Sequence, residues 1–213
     1  NITWWDNKGG PTDANERINN AFEVAIDQYW NSLTSIQGYH ITCSYGAGTP
    51  TADCSYGGSM RIGPNASYQA PGTVMHEGNH GIGVGTTPLW YGPSCMRADG
   101  SRGQWLGDRV TALLTFWDNT PTTLTGDDTH MWPYGINGAH EDLGTEVLYT
   151  AHGLIMQALG EDGLPPTGGF GTPAYVLEQE DTFRYYLRSE SPACGLSTSF
   201  LMENRLRSLK SVE

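Results

Sequence analysis

The sequence predicts an α+β fold in which a small mixed sheet is combined with several helices and long loops. Apolar residues recur at helical spacing in residues 15–33, 105–117 and 143–159, and this periodicity predicts three amphipathic helices. Two short stretches, 39–45 and 59–63, alternate between apolar and polar residues as strands do. The 28 glycines and 12 prolines favour a loop-rich but globular protein.

The first helix follows the N-terminal signals Thr12 and Asp13 and is expected to pack one face on the core. The stretch 46–58 between the two strands has the composition of a loop. Asp118 and the residues after it end the second helix, and Gly160 ends the third. The first helix carries no pattern of chemical groups, so we expect it to be structural.

The charge balance limits the partners of the chain. Lys and Arg number 11 against 23 Asp and Glu, which gives a formal net charge of −12. A polyanion would be repelled by this surface, so nucleic acid is an unfavourable partner. No apolar run of about 18 residues is present, and no membrane span is expected. The protein is expected to act as a monomer on a protein, peptide or glycan substrate.

Four cysteines suggest disulfides. Cys43, Cys54, Cys95 and Cys194 form no C-x-x-C pair, which disfavours a thiolate metal site. An even number suits two disulfides, and four cysteines allow three connectivities. The pairs Cys43–Cys54 and Cys95–Cys194 are the favoured connectivity, because the first closes a short loop and the second ties the C-terminal region to the middle.

Several features favour a secreted, extracellular protein. The chain begins at Asn1 without a methionine, as a processed protein would. Asn1-Ile2-Thr3 and Asn65-Ala66-Ser67 are acceptor sequences for N-glycosylation if a eukaryote makes the chain. The proposed disulfides agree with an oxidising compartment.

The most informative stretch is His76-Glu77-Gly78-Asn79-His80, which has the form H-E-x-x-H. Residues four apart lie on one face of a helix, so both imidazoles can bind the same ion. Zinc suits neutral imidazole and commonly takes three protein ligands and a water when it is catalytic. Glu77 would lie beside that water and accept its proton. The glycines that follow allow the chain to turn sharply beneath a metal.

This stretch, about residues 73–96, resembles the zincin metallopeptidases. Gly83 lies where the metzincin pattern H-E-x-x-H-x-x-G-x-x-H has its glycine, but Thr86 occupies the position of the third ligand. The resemblance implies a zincin-like sheet over the metal-binding helix, with strand 59–63 beside an extended substrate. It also implies a secreted Zn²⁺-dependent endopeptidase that hydrolyses peptide bonds through a zinc-bound water activated by Glu77.

The third metal ligand must then come from elsewhere in the chain. His130 is the first choice, because it follows acidic residues and precedes a Trp-Pro-Tyr-Gly turn that can fix its position. Asp127 or Asp128 could bind its second nitrogen, as carboxylates often do for metal-bound histidines. The remaining candidates are Glu141, Glu146, His140 and His152.

Aromatic residues supply the other candidate site residues. The resemblance implies a tyrosine that stabilises an oxyanion, for which Tyr134 is chosen ahead of Tyr91. Trp90, Tyr91 and Trp132 are the candidates for substrate binding. The alternative function is a zinc-containing protein that cleaves or binds glycans on the same scaffold, with Trp90, Trp105 and Trp132 as the stacking platform.

The chain is divided by a run rich in glycine and proline at 160–174. We therefore expect a zincin-like catalytic domain in residues 1–160. Residues 161–213 are expected to form a C-terminal extension that packs on this domain or follows it.

Overall fold

A computed structural model of the chain describes residues 2–5, 9–36, 38–93, 95–100 and 102–164. Within these ranges it combines a four-stranded sheet and a two-stranded sheet with four α-helices, which is the mixed α+β architecture that the sequence predicts. Apart from 161–164, the predicted C-terminal extension lies outside the described residues, so its separation from the catalytic domain stays a prediction. The described part contains no helix with the length and apolar character that a bilayer span requires.

The larger sheet is mixed. Its strands are β1 (Thr3–Trp5), β2 (His40–Tyr45), β3 (Ala52–Ser55) and β4 (Ser59–Ile62), in the order β1-β2-β4-β3. β1, β2 and β4 are parallel, and β3 runs antiparallel to β4. Strand 59–63, predicted to lie beside the substrate, is therefore the interior strand β4. The two edge strands are β1 and β3, and β3 arises from a stretch predicted to be a loop.

The four α-helices of the described residues are α1 (Thr12–Phe22), α2 (Pro71–Ile82), α3 (Asp108–Asp118) and α4 (Glu146–Glu161). α1 continues as a π-helical segment, Glu23–Trp30, so the long helix predicted from the apolar periodicity is confirmed. α2 lies at the centre, in contact with α1, the π-helical segment, β3, β4 and α4. Ten of its twelve residues are buried.

Glycines allow α2 to approach its neighbours closely. A Cβ atom at Gly78 would overlap the ring of Trp30, and one at Gly81 would overlap the hydroxyl of Tyr39. Both aromatic side chains are fully buried. The small residues between and after the two histidines of H-E-x-x-H therefore have a packing role, since any larger side chain would push α2 away from the core.

The predicted Cys43–Cys54 disulfide is wrong. Cys43 of β2 and Cys54 of β3 both pair with Met60 of β4, one from each side, and neither thiol is in a disulfide. Two strand spacings amount to about 9.5 Å, which exceeds the roughly 7 Å limit between the Cα atoms of a disulfide. Cys95 is also a thiol in the structure, and its predicted partner Cys194 lies outside the described residues.

Candidate metal centre

The first two candidate ligands lie one helical turn apart on α2. The Nε2 atoms of His76 and His80 are 3.2 Å apart, and the two rings meet edge to face. α2 ends at Ile82, and Gly83 follows with a φ of 127° that only glycine adopts readily. The chain then turns back so that Val84 and Thr86 both contact His80.

His130 completes the group from the turn between β5 (Thr125–Gly126) and β6 (Met131–Trp132). One ligand atom from each of His76, His80 and His130 lies within 4.8 Å of the other two. In the described part of the chain, these three side chains form the group that could hold a metal ion. The structure thus brings together three histidines that are separated by up to 54 positions in the sequence.

The hydrogen bonds of the outer ring nitrogens fix the tautomers. Nδ1 of His76 lies 2.9 Å from the carbonyl oxygen of Gly135, and Nδ1 of His80 lies 2.8 Å from that of Val84. A carbonyl only accepts, so each Nδ1 carries the proton and donates it. Each neutral ring therefore presents an unprotonated Nε2. Two lone pairs facing each other at 3.2 Å repel unless a cation or a proton lies between them.

Burial keeps both helix histidines in the neutral form that binds metals. The pKa of His76 is lowered to about 4, mainly by removal from water and secondly by the neighbouring His80, against a hydrogen bond to Gly135 that raises it. Burial also lowers the pKa of His80. Near neutral pH these rings carry no proton on Nε2, so a metal cation would not have to displace one.

Asp127 holds the third histidine. Its carboxylate accepts hydrogen bonds from the amides of Thr129 and His130 at 2.8 and 2.6 Å, and lies 3.2 Å from His130 Nδ1. Burial alone would raise the pKa of Asp127, but these bonds outweigh it and hold the pKa at about 2. Of the two predicted carboxylates, Asp127 is thus the one that contacts His130. Asp128 instead pairs with Arg102 at 3.3 Å.

The carbonyl that orients His76 belongs to a strained turn. Tyr134 and Ile136, on either side of Gly135, have φ values of 64° and 52°. Such values cost on the order of 1 kcal/mol or more for a residue with a side chain, and most for a β-branched one. The surrounding contacts thus stabilise a backbone that points the Gly135 carbonyl at His76 and places Ile136 in the wall of a cleft.

Glu77 is buried next to the two helix histidines. Its side chain is 6% exposed, and Oε2 has no hydrogen-bond partner. Burial raises the pKa of Glu77 to about 8, with a smaller contribution from the charge of Asp53. A carboxyl group with this environment can exchange a proton near neutral pH. A bound dication would lower the pKa again by direct attraction.

A cleft of about 370 Å³ opens onto the three histidines and Glu77. One wall is formed by the edge strand β3 and the residue before it, Thr51. Ile136, Gly138 and Asp142 also line the cleft, as does Tyr68 from the short 3₁₀ turn before α2. The cleft thus joins the candidate metal ligands to an edge strand of the larger sheet.

The other predicted ligands lie outside the three-histidine group. Glu141 accepts from the amide of Asn137 at 2.8 Å, and His140 is exposed near Glu141. His152 is fully buried and lies 2.9 Å from the side-chain nitrogen of Asn79. Glu146 is in the first turn of α4, where a negative charge favours the helix dipole.

The predicted aromatic site residues are divided by the structure. Tyr134 packs edge to face on Trp117, and Tyr91 is 40% exposed, but neither lines the cleft. Trp132 is 44% exposed and also lies outside the cleft lining. Trp90 is fully buried, so its ring is not accessible to a substrate. The sequence prediction missed Tyr68, the tyrosine that does line the cleft.

Comparison of the chain with protein-family models, with curated proteins and with solved structures finds no match.

Proposed function

We propose that this protein is a zinc-dependent endopeptidase that hydrolyses peptide bonds. The observation that carries the proposal is the group of three imidazoles whose ligand atoms lie within 4.8 Å of one another, in a cleft also lined by a buried carboxyl group, Glu77, that has an unpartnered oxygen. The zincin resemblance of the H-E-x-x-H stretch supports the same reaction class. The proposal extends to the zincin-like fold, and to a secreted protein whose exposed Asn65 is open to glycosylation.

The donor set suits zinc. Two imidazole nitrogens that bind one tetrahedral zinc at about 2.0–2.1 Å lie roughly 3.3 Å apart. The observed distance between His76 and His80 Nε2 is 3.2 Å. Each of the three rings is oriented by an oxygen at its other nitrogen, as metal-bound histidines commonly are. His76, His80 and His130 would hold the ion and leave a fourth position for water or substrate.

A bound zinc ion supplies Lewis acidity and lowers the pKa of a water towards about 7. The protein's own contribution is the proton transfer. Glu77 accepts a proton from the attacking water, and the buried site keeps bulk water from competing for this carboxylate. The oxygen of that water forms a bond to the carbonyl carbon of the substrate, the C–N bond breaks, and Glu77 returns the proton to the leaving amine nitrogen.

An extended substrate fits along β3. In the antiparallel ladder with β4, alternate residues direct their main-chain groups to the partner strand, which leaves those of Ala52 and Cys54 on the other side. A peptide can add to such an edge by main-chain hydrogen bonds. Tyr68 lines the cleft and Tyr134 does not, so Tyr68 becomes our candidate to donate a hydrogen bond to the oxyanion of the substrate.

The test combines metal analysis with two substrate classes. The chain should bind one zinc ion and cleave casein, and both a chelator and Glu77→Gln should abolish cleavage. Glu77→Gln should retain zinc, because Glu77 is not a ligand. Glu146→Gln, a matched change at a carboxylate outside the cleft, should keep full activity and zinc. Cleavage that survives in Glu77→Gln would refute the proposal.

A glycan panel in the same assay tests the alternative function. Two of the three tryptophans predicted to stack on sugars cannot do so, because Trp90 and Trp105 are 0% and 1% exposed. Cleavage of glycans without proteolysis would favour the glycan-acting alternative.

A further inference from the structure

His130 is carried by a short turn, so its position depends on what holds that turn. Arg97 is 3% exposed and directs its guanidinium into the main chain of this region. Nε donates to the carbonyl of Gly103 at 3.1 Å, and Nη1 donates to that of Asp127 at 2.6 Å. Nη2 donates to the carbonyl of Gly126. The buried side chain of Arg97 thus joins the main chain at Gly103 to Gly126, the last residue of β5, and to Asp127, the first residue of the turn.

Trp90 also binds the main chain of Asp127. Its indole Nε1 donates to the Asp127 carbonyl at 3.1 Å, so that oxygen accepts from two side chains. The guanidinium carbon of Arg97 lies 4.5 Å from the centre of the Trp90 ring, which is a stacked cation–π contact. Trp90 in turn stacks on Trp105 at 5.7 Å. These stacking contacts therefore fix the side chains of Arg97 and Trp90, the two donors to Asp127.

Arg97 and Trp90 thus hold the main-chain carbonyl of Asp127, while the side-chain carboxylate of Asp127 holds His130. We propose that Arg97, assisted by Trp90, is a positioning residue for the third metal ligand, and acts through Asp127 to direct His130 towards His76 and His80. This inference rests on the proposed metal centre. It gives a function to a buried cation that the proposed reaction does not use.

The geometry requires arginine. The guanidinium is planar, carries five N–H donors and can satisfy three carbonyls while it lies flat on an aromatic ring. A lysine keeps the charge, but its single ammonium cannot reach carbonyls on Gly103, Gly126 and Asp127 and also stack on Trp90. Arg97→Lys should therefore loosen the turn without removing the positive charge.

Zinc affinity measures this effect directly, by competition with a chromophoric chelator and independently of enzyme activity. Loss of support for a metal-bound histidine commonly costs about 10- to 100-fold in affinity. We expect a loss in this range for Arg97→Lys. Arg102→Lys is the matched control, because Arg102 lies nearby but pairs with the exposed Asp128. It should bind zinc as the wild type does.

A double-mutant cycle separates positioning from general stability. If Arg97 acts through His130, Arg97→Lys should change zinc affinity less than twofold in a His130→Ala background. Equal losses in both backgrounds, or wild-type affinity in Arg97→Lys, would overturn the inference. Should Arg97→Lys fail to fold, Trp90→Phe takes its place, since it keeps an aromatic ring and removes the bond to Asp127. Wild-type affinity in His130→Ala would instead overturn the metal centre itself.

Discussion

The ionisation of Glu77 should make the metal-free protein less stable as the pH rises. The pKa of this carboxyl is about 8 in the folded chain and 4.5 for the unperturbed group. Because the folded value is the higher one, the stabilising effect is complete below pH 4.5 and is lost as the pH rises towards 8. Each unit of pKa difference corresponds to about 1.4 kcal/mol. Between pH 5 and pH 7 the loss from this residue amounts to about 2–3 kcal/mol.

Glu77→Gln isolates that loss, because glutamine has nearly the same shape and does not ionise. Urea unfolding of both chains without metal, at pH 5 and pH 7, gives the free energy of unfolding at each pH. The wild type should lose about 2–3 kcal/mol more than Glu77→Gln over this interval. Groups common to both chains cancel in the difference.

Zinc adds a second arm to the experiment. A dication near Glu77 favours the carboxylate, so the difference between the two chains should shrink when zinc is present. Parallel pH profiles for the metal-free wild type and Glu77→Gln would refute the reasoning. They would mean that Glu77 titrates as an ordinary, solvated carboxyl group.

Three further changes test other parts of the site. Asp127→Asn keeps an acceptor but removes the charge that holds His130, so zinc affinity should fall about 10- to 100-fold in a chelator competition; unchanged affinity would contradict this role. Tyr68→Phe should lower kcat about 100-fold or more while zinc content stays constant. Tyr134→Phe should leave kcat unchanged. The opposite pattern would make Tyr134 the residue that stabilises the oxyanion. Burial lowers the pKa of His152 to about 3 from 6.5. The unfolded chain therefore binds the extra proton below pH 6.5, and the metal-free wild type should lose about 2 kcal/mol more than His152→Gln between pH 7 and pH 5; equal losses would show that His152 is solvated.

The sequence was most informative where chemistry and local periodicity coincide. The spacing of His76 and His80 places them on one face of α2 by helix geometry alone, and Gly83 follows the helix end. The apolar periodicity that predicts the first helix likewise depends only on residues that are close together in the sequence. Such features need no knowledge of how distant segments meet.

The sheet edge could not be predicted in this way. The stretch 46–58 has the composition of a loop, yet β3 forms within it, because an edge strand needs few apolar residues. Its antiparallel pairing with β4 is a tertiary contact that its own composition does not indicate. The same pairing explains why Cys43 and Cys54 stay apart, since Met60 lies between them.

The third ligand depends on still longer-range contacts. His130 was chosen for its acidic neighbours, but its position is fixed by Arg97 and Trp90, which lie more than thirty residues earlier. Tryptophan in a loop suggested an exposed binding platform. Trp90 is instead buried as the base on which Arg97 stacks. Side-chain type alone does not distinguish a ring that contacts a ligand from one that supports the loop behind it.

A zinc-soaked crystal, measured for anomalous scattering at the zinc absorption edge, tests the centre most directly. We expect one strong peak per chain, about 2.0–2.1 Å from the Nε2 atoms of His76 and His80 and from a ring nitrogen of His130. Glu77 should lie outside bonding distance of that peak. A peak bound by other side chains, or none between these three rings with zinc in excess, would contradict the proposed metal centre.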